Sequence, residues 1–563
     1  MDVLIAATRR RLANAVCVVA LLLVSPDVAA QTLGASNAPG GADLPLWLSF
    51  WSPLSTTGNL PRDLPGGEVS LPFLFTKPAP RVGLFWQAGN PGALSFENLG
   101  SYAQMRTAYD RRSGDYRRPL DAGTESRTGG DAFGWKSLGS GGGVVGRVLV
   151  ERLRRGDGAS ETSVLPFSSN PFTVLDTLGD AMATTVMRLE GAGGWRLIGG
   201  LGFGLGLGFD GREVRTEASG VPRKYRASAS GVSAGLAYDI AGGALRLGVY
   251  GRRVQTAQIL SIYGYAGSSL EYVFSGYYDP VPFELLPRRS AFQRRSDRVA
   301  WAYGTSVGGR MLGVEWAAFG QIESAAEGHY GDGSAAFPDR DNWDTDGWTI
   351  GFSTQRSFGN EQFLVTMLGR YTKLDGDAER LDQNAVVFFA SEFAALLSGE
   401  LRMLPLDGWG AAAQVTLGRE GRRRHDALAR IGSNLQHWAP SASVEVSRNL
   451  RLGFTVSAAG GISSHAPWGE APTPTRMSGA YQTWIAPELS LYGTKASSRT
   501  GAFTLLWSRS DGLSLWVQAK MASLSPTEDL GRLQYAPEGS RSRSRIEVGV
   551  TMGGGENGRS NRQ

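Results

Sequence analysis

The sequence predicts an all-β protein, a transmembrane antiparallel up-and-down β-barrel of about 16 strands. Three observations predict it: an N-terminal export signal, a two-residue alternation of side chains in many segments, and short turns that alternate with long polar loops. Fourteen and 18 strands are the alternatives, and Ala385–Leu401 is compatible with a helix by content alone. Strands are predicted to begin near 142, 182, 194, 223, 244, 297, 313, 345, 361, 387, 408, 439, 452, 498, 512 and 541.

The export signal occupies residues 1–30. The basic run Arg9–Arg11 precedes the apolar run Ala15–Val24, and small residues at Val28–Ala30 predict cleavage before Gln31. An apolar run this short does not cross a bilayer as a helix, which needs about 20 residues. The single cysteine, Cys17, lies inside the signal, so the exported chain has no disulfide. These features predict the outer membrane of a Gram-negative bacterium.

The alternation is clearest between Trp195 and Phe209. Odd positions carry large apolar side chains, whereas even positions are glycine from Gly200 to Gly208. Because successive strand residues point to opposite faces, the odd row is predicted to face lipid and the even row the lumen. A cation at Leu205 should then be damaging, and Gly204→Ser should be tolerated.

Turns and loops predict the ends of the barrel and the domain organisation. Gly, Asn and Asp supply the positive-φ positions of tight hairpins. The long loops lie near 210–222, 258–296, 325–345, 375–386, 421–438, 466–497 and 524–540. Short turns are predicted at Ala241–Gly243, Gly308–Arg310, Ser357–Asn360, Leu406–Gly408, Arg448–Asn449 and Ser510–Gly512. The predicted organisation is a signal peptide (1–30), a Pro/Gly-rich periplasmic or lumen-packing segment (31–95), the barrel (96–552) and a flexible tail (553–563).

Composition narrows the class. With 77 glycines and no apolar stretch beyond the signal that is long enough for a membrane helix, the chain suits a barrel, in which half of each spanning strand faces water. The formal net charge of +5 is spread along 563 residues, which argues against nucleic acid as a partner.

Several short motifs resemble an uncharacterised outer-membrane β-barrel family. They are Asn90-Pro91-Gly92-Ala93, Tyr109–Arg117, Asn170-Pro171-Phe172 with Asp176–Gly179, and the hairpin from Tyr225 through Tyr238-Asp239 to Tyr250. The family is classed as a domain of unknown function and is known chiefly from bacteroidete-type bacteria. The resemblance implies a barrel over most of residues 90–552, at work beside nutrient-uptake machinery, and no catalytic residue.

No catalytic motif, cofactor site or metal site is predicted. The four histidines are dispersed, and Ser463, Ser464 and His465 near the outer rim are the weak basis for a lipid hydrolase. The acidic run Asp332, Asp339, Asp341, Asp344 and Asp346 favours a solvated loop over a Ca²⁺ site, and Arg422–His425 favours lipid phosphates and a solubilising loop tip equally. One loop is a candidate ligand contact, with packing into the barrel mouth or an aromatic girdle as alternatives: Tyr263, Tyr265, Tyr272, Tyr277, Tyr278, Arg288 and Arg289.

The predicted function is a channel or ligand-specific transport component for a small solute or nutrient. The alternatives are an accessory barrel that binds another outer-membrane transport protein, and an outer-membrane lipid hydrolase. Outer-membrane lipid and the barrel-assembly machinery are expected partners. The segment 31–95 and the loop 258–296 predict an obstructed lumen.

Overall fold

The computed structural model describes most of the chain from Gly89 to Gly553. The described residues are 89–96, 101–116, 122–161, 173–216, 223–240, 242–262, 269–274, 281–285, 292–330, 341–359, 362–380, 384–406, 408–427, 430–470, 493–509, 512–527 and 539–553. The predicted signal peptide, most of the segment 31–95 and nearly all of the tail lie outside them. None of the described helices is long and apolar enough to cross a bilayer.

The strands follow one another around a single antiparallel sheet. They are β1 (Tyr102–Gly114), β2 (Thr124–Ser137), β3 (Gly142–Glu161), β4 (Thr173–Arg196), β5 (Leu201–Thr216), β6 (Arg223–Ile240), β7 (Leu245–Ile262), β8 (Ser269–Phe274), β9 (Val281–Leu285), β10 (Phe292–Met311), β11 (Val314–Tyr330), β12 (Asp341–Phe358), β13 (Phe363–Arg380), β14 (Ala385–Leu406), β15 (Trp409–Asp426), β16 (Ile431–Asn449), β17 (Phe454–Glu470), β18 (Ala496–Ser508), β19 (Leu513–Pro526) and β20 (Arg541–Gly553). One-turn 3₁₀ segments span Pro91–Phe96, Gly139–Gly141 and Arg451–Gly453.

The sheet closes because β1 pairs with both β2 and β20. Strand β7 pairs directly with β10, so β8 and β9 stand outside the ring and eighteen of the twenty described strands form the barrel. Closure pairs each of the eighteen ring strands on both edges, which a sheet in hydrocarbon requires. The fold is that of an outer-membrane β-barrel.

The predicted barrel is confirmed, with eighteen strands instead of sixteen. The two additional strands are β1 and β2, the first hairpin. All sixteen predicted strands correspond to other strands of the ring. On β2 the row that faces away from the lumen is Thr128, Gly130, Ala132 and Gly134, which lacks the large apolar side chains of the other strands. The segment from Ala385 is strand β14, not a helix.

Two predicted turns lie elsewhere in the structure, and a third turn was not predicted. Arg448–Asn449 belongs to β16, and the turn follows at 450–453, where Leu452 and Gly453 have φ values of 61° and 79°. Gly308–Arg310 belongs to β10, and the turn is at Leu312 and Gly313, whose φ values are 52° and 75°. The alternation from Trp195 to Phe209 is interrupted by a turn, because β4 ends at Arg196 and Gly199 and Gly200 have φ values of 57° and 88°. All three turns use the left-handed backbone conformation that tight hairpins require.

The loop predicted over 258–296 contains more strand than the sequence indicated. Residues up to Ile262 belong to β7 and residues from Phe292 to β10, and β8 and β9 form a hairpin between them. β8 pairs with the outer end of β4, from Thr173 opposite Phe274 to Asp176 opposite Glu271. This hairpin therefore extends the barrel wall beside β4.

Aromatic rings mark the two boundaries of the membrane band. Trp348 stacks on Tyr371 at 4.9 Å near the long-loop end, and Phe358 stacks on Phe363 at 5.4 Å beside a short turn. Trp348 and Phe358 lie ten residues apart on β12, or about 33 Å at roughly 3.3 Å per residue. A strand tilt of roughly 40° makes this about 25 Å along the membrane normal, the height of an outer-membrane apolar band. The short-turn end is periplasmic by the same pattern.

Leu205→Arg tests the assignment of the two rows. Leu205 is 46% exposed on the outward face of β5, so a cation there should cost about 2–4 kcal/mol near the midplane. The lumenal control is Gln414→Arg, which loses a hydrogen bond to Ser398 and should cost about 1 kcal/mol. Urea titration in lipid vesicles, with the folded fraction measured by gel mobility before and after boiling, gives both values. Equal costs at the two positions would contradict the assignment.

Candidate functional site

The lumen contains a short segment of the chain's own N-terminal part, Asn90–Phe96, called here the lumenal segment. Its residues Asn90 to Ser95 are buried. The Asn90 side chain donates to the Leu236 carbonyl of β6 at 2.8 Å and accepts from the Gly92 amide at 2.8 Å. Ser95 Oγ donates to the Gly92 carbonyl at 2.8 Å. These bonds fix a compact turn against the wall at the periplasmic end.

Glycines in the wall make room for this turn. A Cβ on Gly204 or Gly235 would overlap Pro91 or the Asn90 side chain, and one on Gly194 would lie 2.6 Å from Leu94 Cβ. The lumenal glycine row of β5 therefore allows two backbones to approach closely. The expectation that Gly204→Ser would be tolerated is wrong, because this part of the lumen is filled.

An apolar cluster holds the other side of the lumenal segment. Leu94 is fully buried, and Phe96 is 7% exposed between the guanidinium groups of Arg196 and Arg246, at 5.2 Å and 5.6 Å from the ring centre. The cluster joins Ala93, Leu94, Phe96, Tyr102, Phe133, Trp135, Val145, Ala192 and Ala237. Burial of two large apolar side chains favours docking by about 2 kcal/mol each before the loss of chain entropy. The lumenal segment is thus packed like a protein core against one side of the wall, formed by β1–β7.

Farther up the same wall the lumen is lined by ion pairs. Asp131 of β2 accepts from Arg106 Nη2 at 2.9 Å and from Arg147 Nη2 at 3.0 Å. On the neighbouring strands Asp210 accepts from Arg188 Nη2 at 2.9 Å. These side chains are almost fully buried, so each guanidinium depends on its carboxylate for compensation.

Some of these ion pairs connect the first strand of the ring, β1, with the last, β20. Arg543 of β20 donates from Nε to both carboxylate oxygens of Asp110 on β1 at 2.8 Å, and Arg106 Nη1 lies 3.3 Å from Glu547 Oε1. The partners are more than 400 residues apart in sequence. Sequence patterns could not identify them, since they depend on the register between the first and last strands.

Two of the histidines that the sequence suggested were dispersed meet in the lumen. His437 and His465 lie on neighbouring strands with ring centres 4.4 Å apart, and His437 Nε2 is 3.0 Å from Glu420 Oε2. His329 is also lumenal, 3.3 Å from Glu327, whereas His425 faces outward. The alternation along each strand could have placed both histidines in the lumen, because each occupies a position of the inward-facing row.

The predicted outer-rim serine and histidine do not share one face. His465 is buried toward the lumen, with Ser463 in the same row, and Ser464 belongs to the lipid-side row. Ser464 and His465 therefore do not meet at the lipid surface.

The predicted ligand-contacting loop falls largely outside the described residues. Tyr263, Tyr265, Tyr277, Tyr278, Arg288 and Arg289 lie outside them, and of Tyr272 only the backbone is described, as part of β8. In the acidic run Asp332 and Asp339 are likewise outside, Asp341 faces the lumen, and Asp344 and Asp346 face outward. Among the described residues no group of three or more side chains is arranged to hold a metal ion.

Asp131→Asn tests the lumenal ion pairs. The substitution keeps the shape of the side chain but leaves the buried guanidinium of Arg147 without its carboxylate partner and Arg106 with Glu547 alone, which should destabilise the barrel by about 3–5 kcal/mol. The matched control is Asp375→Asn, an outward carboxylate 2.7 Å from Lys373 and 52% exposed, for which less than about 1 kcal/mol is expected. Urea unfolding in detergent measures both, and a similar small loss at both sites would show that the lumenal charges are solvated.

Comparison with solved structures finds other outer-membrane proteins at low similarity. The ferric preacinetobactin receptor BauA of Acinetobacter baumannii matches with 8% identity and a TM-score of 0.35, over 80% of each chain. The copper transporter OprC matches with 9% identity and a TM-score of 0.36, over 79% of this chain and 80% of the other. A Pseudomonas aeruginosa FadL homologue matches with 12% identity and a TM-score of 0.29, over 83% and 93%. Similarity at this level carries no information about a substrate.

Sequence comparison identifies the family. No curated protein matches the chain. A family model described as a family of unknown function, DUF6850, matches residues 91–552. The match begins inside the Asn90-Pro91-Gly92-Ala93 motif that forms the lumenal turn and ends in β20, so it covers the lumenal segment and the whole ring of strands. The chain therefore belongs to the DUF6850 family.

Proposed function

We propose that the protein is an outer-membrane transport barrel, a channel or ligand-specific component for a small polar solute, that is closed at its periplasmic end by the lumenal segment. The observation that carries the proposal is the burial of Asn90–Phe96 inside the ring, against the glycine row of β5 and β6.

The size of the ring supports a transport role. A barrel of eighteen strands is wider than its own wall side chains can fill, since barrels of 16–18 strands enclose an aqueous channel. Whatever occupies that space then decides whether solutes pass. Here the lumenal segment occupies space at the periplasmic end beside β3–β7, which supports a lumen narrower than that of an open general porin.

The chemistry of the lumenal rows supports a polar solute. Besides the pairs on β1–β5, Arg252 lies 3.3 Å from Glu323, and Arg424 lies 3.3 Å from Glu392 on the opposite side of the ring. Because these charges are compensated in pairs, the lining offers both donors and acceptors without a strong excess of one sign. An apolar solute would find little complementary surface along this path.

The proposal predicts that displacement of the lumenal segment increases conductance. Gly204→Val places a branched side chain where Pro91 now lies, so the segment should be expelled and the single-channel conductance of refolded protein in planar bilayers should rise several-fold. The matched control is Gly501→Val on β18, where a Cβ would meet nothing within 4 Å, and its conductance should equal that of the wild type.

Two results would overturn the proposal. A wild-type protein that conducts like a wide porin would show that the lumenal segment does not close the path. A Gly204→Val protein that folds, by its gel mobility before boiling, and conducts no more than the wild type would show that the segment is not the barrier.

A further inference from the structure

A cation without an ion pair lies on the lipid-facing side of β15. The guanidinium of Arg419 packs over the rings of Trp468, Trp438 and Phe393, at 5.1 Å, 5.4 Å and 5.6 Å from their centres. Its Nη2 donates to Gln436 Oε1 at 3.1 Å, and its buried Nε has no hydrogen-bond partner. Among the described residues no carboxylate lies within ion-pair distance of it. The aromatic rings therefore hold the charge in place and do not neutralise it.

The height of Arg419 places it at the outer boundary of the membrane. Trp409 begins β15 beside the periplasmic turn, and Arg419 follows ten residues later, about 33 Å along the strand and about 25 Å along the normal. Its ring partners belong to the outer aromatic girdle, because Phe393 continues the stack of Trp348 and Tyr371 at 6.2 Å from Tyr371. Headgroups of the outer leaflet lie at this level.

Two more basic side chains continue outward from Arg419 on the same face. Arg423 and His425 are exposed, and the outward residues beside them are neutral: Phe389 and Ser391 on β14, Asn434 and Gln436 on β16. The nearest outward acidic positions lie two strands from Arg423 on either side. Glu470 of β17 pairs in register with Asn434, and Asp375 of β13, which is bound to Lys373 at 2.7 Å, pairs in register with Ser391. The column from Arg419 to Arg423 is thus a line of positive charge that begins in the girdle and is extended outward by the imidazole of His425.

Outward carboxylates are concentrated two and three strands away from β15, on β13 and β12. On β12 and β13 the outward carboxylates of Asp344 and Asp346 lie opposite Asp377 and Asp375 in register. An anionic headgroup would be repelled there and attracted to β15, so the charge pattern selects one sector of the barrel wall.

We propose that Arg419, Arg423 and His425 bind the phosphate groups of an outer-leaflet glycolipid, with Arg419 as the contact fixed by the aromatic rings. The occupant is a lipid because the site opens sideways into the bilayer at girdle height. Free phosphate would lack the acyl chains that bring a ligand to this level. Guanidinium groups suit phosphate because they donate several hydrogen bonds in one plane. This inference does not depend on transport.

The experiment measures binding of lipid A to full-length refolded protein in dodecyl maltoside by native mass spectrometry, with EDTA present to remove bridging cations. Each basic residue near an anionic lipid contributes about fivefold in affinity, so Arg419→Ala/Arg423→Ala should bind bisphosphorylated lipid A about 25-fold more weakly. The matched control is Arg448→Ala, which removes a guanidinium stacked on Trp409 at 4.9 Å at the periplasmic boundary, and it should bind like the wild type.

Three results would overturn the proposal. Dephosphorylated lipid A that binds the wild type as tightly as the phosphorylated form would show that acyl chains alone decide binding. Displacement of bound lipid A by millimolar inorganic phosphate would show a free-anion site. Unchanged lipid A affinity in the folded double variant, or in the single variant Arg423→Ala should the double variant not fold, would exclude these residues as the site.

Discussion

The whole molecule depends on the pairing of β1 with β20. In hydrocarbon an unpaired strand edge leaves a row of amide and carbonyl groups without hydrogen bonds, each at a cost of several kcal/mol. Closure removes both edges at once, and the register of the last pair, from Tyr102 opposite Gly553 to Gly114 opposite Arg541, follows from it. The same register brings Asp110 to Arg543 and Arg106 to Glu547.

Closure also gives every strand of the ring a lipid-facing row and a lumenal row with different requirements. The outward row meets lipid and must be apolar across the band, whereas the lumenal row is free to carry arginines, carboxylates and glycines. The lumenal segment uses that freedom at Gly204 and Gly235, where the absence of side chains lets another backbone approach. The charge column on β15 begins where the lipid constraint ends, at the outer girdle.

The sequence predicted features of the lipid-facing rows better than features of the lumenal rows. Alternation located sixteen of the eighteen barrel strands, because their lipid rows carry Leu, Ile, Val and aromatic residues. It missed the first hairpin, in which the outward row of β2 lacks large apolar side chains. It could not place Pro91 against Gly204, since alternation within a strand contains no information about which other segment the strand contacts. Contacts between lumenal side chains, such as His437 with His465, require the register of neighbouring strands, which the alternation of a single strand does not contain.

The ion pairs across the seam have a consequence for the lifetime of the folded state. Arg543 can reach Asp110 only after the final strand has joined the first, so this contact is absent from every partly assembled sheet. An interaction that forms after the rate-limiting step leaves the folding rate unchanged and lowers the rate of unfolding. Opening of the barrel must begin between one pair of neighbouring strands. Between β1 and β20, buried ion pairs hold the strands together in addition to the backbone hydrogen bonds. The ion pairs between β1 and β20 are thus expected to lower the rate at which an inserted barrel opens and unfolds.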